Sequence, residues 1–236
     1  MGILFANQKV IQTMTHPFFS HHILCVTNTL EEVDVRIKVH TDLGIFVGEK
    51  VVVCPEWFEG VIAYLSQYFS REVLAEMFIC GLNQPSAPYP YDVSYNALQL
   101  SRHLFHLLSH TEDRVLQMSR GDKVSVKQGY SRCSVLPVGS QAAITEDEAL
   151  YKTLTSFGYE TLFIPSGHVK LDGFSHGFIG GAGGCVDQMM ILNGSLSTHP
   201  HGAEMRRFIE RQGCEIIELH EAQLEDCGSI LYFNFR

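Results

Sequence analysis

The stretch VLPVGSQAAITEDEALYKTLTSFGYETLFIP, residues 135–165, decides the fold because it contains every signal of one structural unit. Residues 135–138 are apolar and predict a strand, and residues 142–144 predict a second strand. Gly139 and Ser140 lie between the two strands and are typical of a tight turn. The first half of the stretch therefore predicts a pair of strands joined by a hairpin.

The second half of the stretch predicts a helix followed by a strand. Residues 145–148 read Thr-Glu-Asp-Glu, a capping box in which Thr145 and Glu148 would satisfy free N–H groups at the helix start. The apolar residues predicted for one helical face are Ala149, Leu150, Leu154 and Phe157. Gly158 predicts the helix end, and residues 161–164 predict a buried strand. The whole stretch thus predicts a strand-strand-helix-strand unit.

The same order of elements recurs along the chain, with helix starts predicted near residues 56, 112, 146 and 202. The further copies comprise a strand at 50–53 with a helix at 56–68, a strand at 103–108 with a helix at 112–118 and a strand at 123–126, and a strand at 189–192 with a helix at 202–212 and a strand at 214–219. Pro55 is predicted at the first helical position of one copy, and Thr111 as the N-cap of the next. A strand at 229–234 opens a fifth copy, which the strand at 22–26 would complete if the chain closes into a ring.

Composition limits the kinds of partner that the chain can have. Its 236 residues are 45% hydrophobic and 18% charged, which is enough apolar material for a real core. The formal net charge of −9 and the absence of basic runs argue against nucleic acid as a partner. The apolar stretches are too short to cross a bilayer, and no secretory leader precedes them, so we expect a soluble protein that does not associate with membranes.

The cysteines point to a reducing compartment. There are seven, an odd number, and none forms a Cys-x-x-Cys pair. Free thiols in the cytoplasm are therefore expected, and no structural zinc site is predicted.

Six short motifs resemble a bacterial family of uncharacterised proteins that is placed with the guanidine-modifying, or pentein, fold. They are Lys127–Ser134 (KQGYSRCS), Ser166–Leu171 (SGHVKL), Gly173-Phe174, Gly177–Gly181 (GFIGG), Asn193–Pro200 (NGSLSTHP) and Asp226–Ile230 (DCGSI). The resemblance covers the chain from about Pro90 onward. It implies a five-fold pseudosymmetric α/β propeller of repeated strand-strand-helix-strand units, formed by residues 1–236 as a single domain.

The resemblance also implies a catalytic pair. Active penteins, such as arginine deiminase and the amidinotransferases, use a Cys nucleophile near the C-terminus and a His in a His-x-Lys or His-x-Asp setting. Cys227-Gly228-Ser229 resembles the first motif, and His168-Val169-Lys170 resembles the second. A thiolate with an imidazole beside it can attack a guanidinium carbon, so Cys227 and His168 are the predicted catalytic residues. The alternative is that Cys227 packs in the core and His168 lies in a turn.

The predicted substrate-binding residues are Asp92, Asp172, Asn96 and Ser229. Carboxylates bind a guanidinium through planar, paired hydrogen bonds, which is the role predicted for Asp92 and Asp172. Each of these acids is also suited to a turn or a helix cap. Asp92 lies where active penteins have an Asp-Gly-Gly-acid motif, although this chain has no Gly pair there.

Two functions therefore stay open. The first is a Cys/His-dependent hydrolase or transferase that acts on a guanidino or amidino compound without a cofactor or metal. The second is a non-catalytic pentein that binds a partner or a small ligand, for which no thiol is needed. Neither nucleotide nor metal is predicted to bind: the Gly180–Gly184 run lacks the spacing of a phosphate loop, and the pairs His21-His22 and His199-Pro200-His201 lack a third ligand at diagnostic spacing.

Overall fold

The computed structural model describes residues 2–235, which form fifteen strands and seven α-helices. The strands are β1 (Gly2–Asn7), β2 (Ile23–Thr27), β3 (Ile45–Val47), β4 (Val51–Val53), β5 (Phe78–Cys80), β6 (Leu98–Leu100), β7 (His103–His106), β8 (Asp122–Ser125), β9 (Val135–Val138), β10 (Ala142–Thr145), β11 (Glu160–Phe163), β12 (Gly183–Val186), β13 (Met189–Leu192), β14 (Glu215–Glu218) and β15 (Leu231–Asn234). The helices are α1 (Gln8–Thr13), α2 (Pro55–Leu65), α3 (Arg71–Met77), α4 (Asp113–Met118), α5 (Ser131–Ser134), α6 (Glu148–Ser156) and α7 (Gly202–Arg211).

The strands form five sheets of three strands each within the described residues, and all five have the same internal pattern. The middle strand pairs antiparallel with the first strand and parallel with the third strand, which follows it after a helix. A hairpin joins the first two strands in four of the sheets, whereas in the fifth the first strand is β15 and the middle strand is β1. The five middle strands are β4, β7, β10, β13 and β1. A parallel partner requires a crossover connection, which the helix supplies. The predicted mixed α/β fold of repeated strand-strand-helix-strand units is confirmed.

The fifth sheet joins the two ends of the chain. Strand β15 pairs antiparallel with β1, with Gly2 opposite Asn234, and β1 pairs parallel with β2. The sequence analysis predicted β15 and β2 but missed β1, although all six residues of β1 are buried. Segments from opposite ends of the sequence thus build one complete unit.

Helix α6 starts later than the capping box predicted. Asp147 is the N-cap: its Oδ1 accepts hydrogen bonds from the N–H groups of Ala149 (2.8 Å) and Leu150 (2.9 Å). The Thr145 hydroxyl instead donates to the carbonyl of Ser134 at 2.7 Å. Thr145 still belongs to β10, where this bond holds it, and so it is unable to cap the helix.

Helix α4 shows a similar displacement by one residue. Its N-cap is Glu112, whose carboxylate accepts the Val115 N–H at 2.9 Å. The predicted cap, Thr111, bonds instead to the ring of His106 at 2.7 Å. The helix therefore begins at Asp113, while Pro55 does occupy the first position of α2 as predicted.

Strand β11, the third strand of its sheet, is less buried than predicted. The two end residues of β11 are exposed and the two middle ones are half-buried. Phe157, predicted on the buried face of the preceding helix, is 43% exposed. The exposure of β11 arises because it is the edge strand of its sheet, so only one neighbouring strand covers it. Phe157 is the C-cap of α6, at the end of the helix.

Buried apolar side chains fill the space beneath and between the sheets. The largest cluster includes Phe5, Trp57 and Phe78, and a second cluster packs α7 against β13 through Met205 and Ile209. None of the helices in residues 2–235 has the length and apolar character needed to span a bilayer.

Candidate active site

Five segments that each precede the first strand of a unit meet in one buried cluster. They contribute Asp42, Asn96, Cys133, Gly180 and Ser229, which precede β3, β6, β9, β12 and β15 respectively. The Ser229 hydroxyl donates to Asp42 Oδ2 and to the Gly180 carbonyl, the latter at 3.1 Å. The Cys133 thiol donates to Asp42 Oδ2 at 2.9 Å, and Asn96 Nδ2 donates to Cys133 Sγ at 3.4 Å. We call this set the five-segment cluster; it ties four units to one another through polar side chains.

A buried acid, Asp42, and a buried cation, Arg132, lie close together at the cluster. Burial raises the pKa of Asp42, which is 1% exposed. The Arg132 guanidinium interacts electrostatically with this carboxyl and donates to the carbonyls of Val135, Gly180 and Gly183 at 3.1, 3.0 and 3.3 Å. A buried cation next to a buried acid compensates part of the cost of removing both from water.

A cavity of about 680 Å³ opens beside the cluster, with Cys227, Asp226 and His40 in its lining. Its volume lies in the range usual for sites that bind small molecules. Asn7 and Thr27, at the ends of β1 and β2, form another part of the wall. We call it the Cys227 cavity. It brings a thiol, an imidazole and a carboxyl group to one concave surface.

Cys227 has a protonated thiol in this environment. Its Sγ donates a hydrogen bond to the carbonyl of Gly181 at 3.2 Å, and the residue is 6% exposed. Burial, followed by the nearby Asp226 and Asp42, raises the pKa of the Cys227 thiol well above its usual range. A thiol becomes a nucleophile only as a thiolate, so Cys227 would have to lose its proton before reacting.

The imidazole of this site is His40, which the sequence analysis missed. His40 is 4% exposed, and its Nδ1 lies 3.8 Å from Asp226 Oδ1. Its ring packs directly on Gly228: a Cβ atom at position 228 would lie 2.6 Å from His40 Cγ. Only glycine fits there, so the Cys-Gly-Ser turn keeps the imidazole next to the residue after Cys227. Burial lowers the pKa of His40, which is therefore neutral near pH 7.

The structure does not bring His168 to Cys227. Lys170 and Glu225 form a parallel bridge, in which His168 lies two residues before and Cys227 two residues after the paired positions. His168 does not belong to the lining of the Cys227 cavity. The His168 ring packs instead on His199, with the ring centroids 5.3 Å apart. The His-x-Lys motif thus marks a neighbouring strand-like segment, whose hydrogen bonds with residues 224–226 fix this offset.

The predicted substrate-binding residues fall in three places. Asn96 and Ser229 belong to the five-segment cluster, where Asn96 Oδ1 accepts the N–H groups of Arg132 and Cys133 at 3.0 and 3.1 Å. Asp172 lines the Cys227 cavity, but its carboxylate pairs with Lys170 Nζ at 3.0 Å. Asp92 is buried and accepts the Tyr130 hydroxyl at 2.6 Å, and burial raises its pKa. Asp92 is therefore bound within the protein rather than placed in the lining of the cavity.

Glu146 is a further acid that the sequence analysis did not select. It follows β10, and its Oε2 accepts the Ile179 N–H at 2.9 Å while Oε1 is buried without a partner in the described residues. Burial raises the pKa of Glu146 to about 7, and Asp226 adds to the shift. Burial likewise raises the pKa of Asp226 to about 6 against the opposing bonds from the Phe178 and Gly228 N–H groups. Perturbed acids of this kind are typical of functional sites.

Comparison with solved structures defines the class of protein to which this arrangement belongs. A dimethylarginine dimethylaminohydrolase, solved as an adduct with 4-chloro-2-hydroxymethylpyridine, has 10% sequence identity and a TM-score of 0.52, with 92% of this chain and 91% of that chain covered. An arginine dihydrolase from the ornithine–ammonia cycle in cyanobacteria has 14% identity and a TM-score of 0.50, with 92% of this chain and 36% of that chain covered. At these identities the likeness establishes the fold. The chain has the fold of the penteins.

Within that class, the match to a family model is specific. The model of the family of unknown function DUF6873 matches residues 7–231, and the chain belongs to this family. A search of curated proteins finds no match.

Proposed function

We propose that the chain is a Cys-dependent hydrolase or transferase of a small guanidino or amidino compound, which binds in the Cys227 cavity. The observation that supports this proposal is that Cys227, His40 and Asp226 line one cavity of about 680 Å³. These are the three kinds of group that covalent chemistry on an amidinium carbon needs: a nucleophile, a proton carrier and an acid to hold the cation. The predicted pair is thereby revised to Cys227 and His40.

The proposed reaction proceeds in two displacements. His40 first accepts the proton of the Cys227 thiol, and the resulting thiolate forms an S–C bond to the amidinium carbon. The C–N bond to the leaving amine breaks as His40 passes that proton to the amine. Water, or an amine in a transferase, then attacks the thiouronium carbon and gives its proton to His40. The S–C bond breaks and the thiolate leaves, so a hydrolase would yield a ureido product and an amine.

The raised pKa of the thiol is consistent with activation by the substrate. Apart from burial, negative charge at Asp226, Asp42 and Glu225 holds the proton on Cys227. A cation bound at Asp226 would oppose that negative charge and favour the thiolate. The thiol would thus stay protonated in the free protein and ionise when a guanidinium enters.

The segments beside the Cys227 cavity would come together if the five units surround a common axis. We propose that they form a five-bladed α/β propeller and that residues 1–236 make one domain, because segments from all five units meet beside the cavity. The structural relatives are a hydrolase and a dihydrolase of guanidino compounds, which favours the same substrate class. We also propose a reducing compartment such as the cytoplasm, which a reactive thiol requires.

Labelling with 2-chloroacetamidine tests the proposal, because the reagent is a cation and 2-chloroacetamide is its neutral analogue. Intact-mass and peptide mass spectrometry should find one acetamidine group, on Cys227. The cationic reagent should react about tenfold faster than the amide. This ratio corresponds to ~1.5 kcal/mol, the contribution of one hydrogen bond to a charged group. Methylguanidine in excess should slow the reaction.

Two variants control the labelling. Cys227→Ser should abolish it, while Cys25→Ser should leave it unchanged, since Cys25 is also buried but lies outside the cavity lining. Equal rates with the two reagents, or modification of other cysteines in preference to Cys227, would contradict the proposal.

A second candidate function is binding without reaction, and the hydrogen bond from the Cys227 thiol to Gly181 favours it. In that case the cavity would bind the cation, and the Cys227 side chain would contribute only to packing. Calorimetry with methylguanidine and L-arginine separates the two. Equal affinity in the wild type and in Cys227→Ser, together with no Cys227 labelling, would select the binding function.

A further inference from the structure

Three buried side chains with different donor atoms converge next to the Cys227 cavity. A ring nitrogen of His40, a carboxylate oxygen of Asp42 and the Cys133 sulfur all lie within 4.8 Å of one another. The three residues are 4%, 1% and 2% exposed. We propose that His40, Asp42 and Cys133 bind one Zn²⁺ ion. This site goes beyond the proposed function and does not rest on it.

Asp42 has an unused carboxylate oxygen inside the cluster. Asp42 Oδ2 accepts two hydrogen bonds, from Ser229 and Cys133. Asp42 Oδ1 is buried and has no partner within residues 2–235. A buried carboxylate oxygen without a donor is costly, and a cation coordinated by Oδ1 would remove that cost.

The His40 ring makes no hydrogen bond in the part of the chain that the structure describes; its electrostatic partners are Asp42 and Asp226. An imidazole nitrogen that makes no hydrogen bond is free to coordinate a cation, and neutral imidazole is the commonest metal ligand in proteins. The unpartnered Asp42 oxygen and this ring belong to the residues whose donor atoms converge.

The donor set favours zinc. Imidazole nitrogen, carboxylate oxygen and thiolate sulfur are the three ligand types of protein zinc sites, and three protein ligands leave one position for water or another ligand. A thiolate and a carboxylate together balance the two charges of Zn²⁺. Binding would release the proton of the Cys133 thiol to solvent.

The surrounding residues would support the ligands. Asn96 Nδ2 donates to the Cys133 sulfur, and Ser229 donates to Asp42. Hydrogen bonds of this kind orient metal ligands in known sites. Asn96 and Ser229, predicted to bind substrate, would thus position the metal ligands.

Metal binding has a consequence for the cavity. An imidazole that coordinates zinc is no longer free to carry protons for Cys227. We therefore expect the zinc-loaded protein to react with 2-chloroacetamidine more slowly than the metal-free protein does.

The test uses the full chain after chelator treatment and dialysis. Titration with Co²⁺ should produce a thiolate-to-cobalt charge-transfer band at one equivalent, and Zn²⁺ should displace it with the same stoichiometry. Cys133→Ser should abolish the band and weaken zinc binding at least ~100-fold, because loss of an outer-shell partner alone costs 10- to 100-fold. Asp42→Asn should weaken zinc binding without removing the band.

Cys227→Ser is the matched control, since Cys227 is also a buried thiol near His40. It should retain the cobalt band. If Cys227→Ser loses the band while Cys133→Ser keeps it, the metal binds at the cavity thiol and the proposed ligand set is wrong. Absence of stoichiometric Co²⁺ or Zn²⁺ binding to the wild-type chain overturns the proposal without the use of any variant.

Discussion

At the scale of the residue, burial shifts the pKa values of several acids, and Glu146 gives the clearest prediction. Its pKa is raised from 4.5 to about 7, so the folded protein prefers the protonated form. The associated stability is fully present below pH 4.5 and is lost as the pH rises through 7. Glu146→Gln resembles the protonated acid and keeps one oxygen for the Ile179 N–H. We therefore expect it to be more stable than the wild type at pH 8, by up to ~3 kcal/mol, and nearly equal at pH 4.

Urea denaturation at the two pH values measures this difference. Glu148→Gln is the control, because the Glu148 side chain is 70% exposed and should change stability little at either pH. A constant difference between Glu146→Gln and the wild type from pH 4 to pH 8 would show that Glu146 does not titrate as its burial requires.

Arg132 gives a second prediction at this scale. Its guanidinium is the buried cation beside Asp42, and it bonds three backbone carbonyls. Arg132→Met should lower the free energy of unfolding by ~3–5 kcal/mol, because an uncompensated buried carboxyl group remains. Arg102→Met, which removes a cation with a 73% exposed side chain, should change it by less than ~0.5 kcal/mol. Similar losses for the two variants in urea denaturation would contradict the assigned role.

The sequence identified some residues of the site and not others, for a physical reason. Cys227, Asn96 and Ser229 were selected, and all lie in the cavity lining or the five-segment cluster. His40 and Asp42 were missed, although His40-Thr41-Asp42 is a His-x-Asp sequence, because they precede the region from about Pro90 onward that the resemblance covers. Cys133 lies within the KQGYSRCS motif, but nothing in the local sequence pairs it with the other two. Their position in the repeat could have identified these residues, since each of these segments directly precedes the first strand of a unit.

At the scale of the element, the first residue of a helix depends on which candidate cap side chain already makes a hydrogen bond elsewhere. The pattern around residue 145 suits both Thr145 and Asp147 as caps, and only the bond from Thr145 to the Ser134 carbonyl decides between them. The acceptor of that bond is the last residue of α5, eleven residues before Thr145, and the local sequence around residue 145 does not encode it. The elements themselves were predictable from apolar periodicity, whereas their first residues were not.

A cap variant tests the assignment. Asp147→Ala should cost ~1 kcal/mol of stability, because two N–H groups of α6 lose their acceptor. Asp147→Asn should recover most of the loss, since asparagine is an equally good N-cap. Thermal unfolding followed by circular dichroism measures both variants. If Asn and Ala are equally destabilising, capping is not the contribution of Asp147.

At the scale of the whole molecule, pairing of the chain ends defines the fold. Gly2 lies opposite Asn234 across the β1–β15 pair, so these two ends of the described residues are adjacent. The sequence analysis predicted ring closure from the strands at its two ends. It missed β1 because a strand at the N-terminus has no preceding hairpin or helix to mark its place in the repeat.

Circular permutation tests this closure. A short Gly-Ser linker would join residue 236 to residue 1, and new ends would open between Gly139 and Ser140, which are both exposed in the β9–β10 hairpin. We expect the permutant to unfold in one cooperative transition with a urea midpoint near that of the parent chain. Loss of cooperative unfolding would contradict the adjacency of the ends.

The central claim is that Cys227 faces a cavity where a guanidinium-like cation reacts with it. The most direct measurement is a crystal structure of the protein after treatment with 2-chloroacetamidine. We predict continuous electron density from Cys227 Sγ to an acetamidine group that lies in the cavity near Asp226 and His40. Density for the group on another residue, with Cys227 unmodified and still bonded to the Gly181 carbonyl, would contradict the claim.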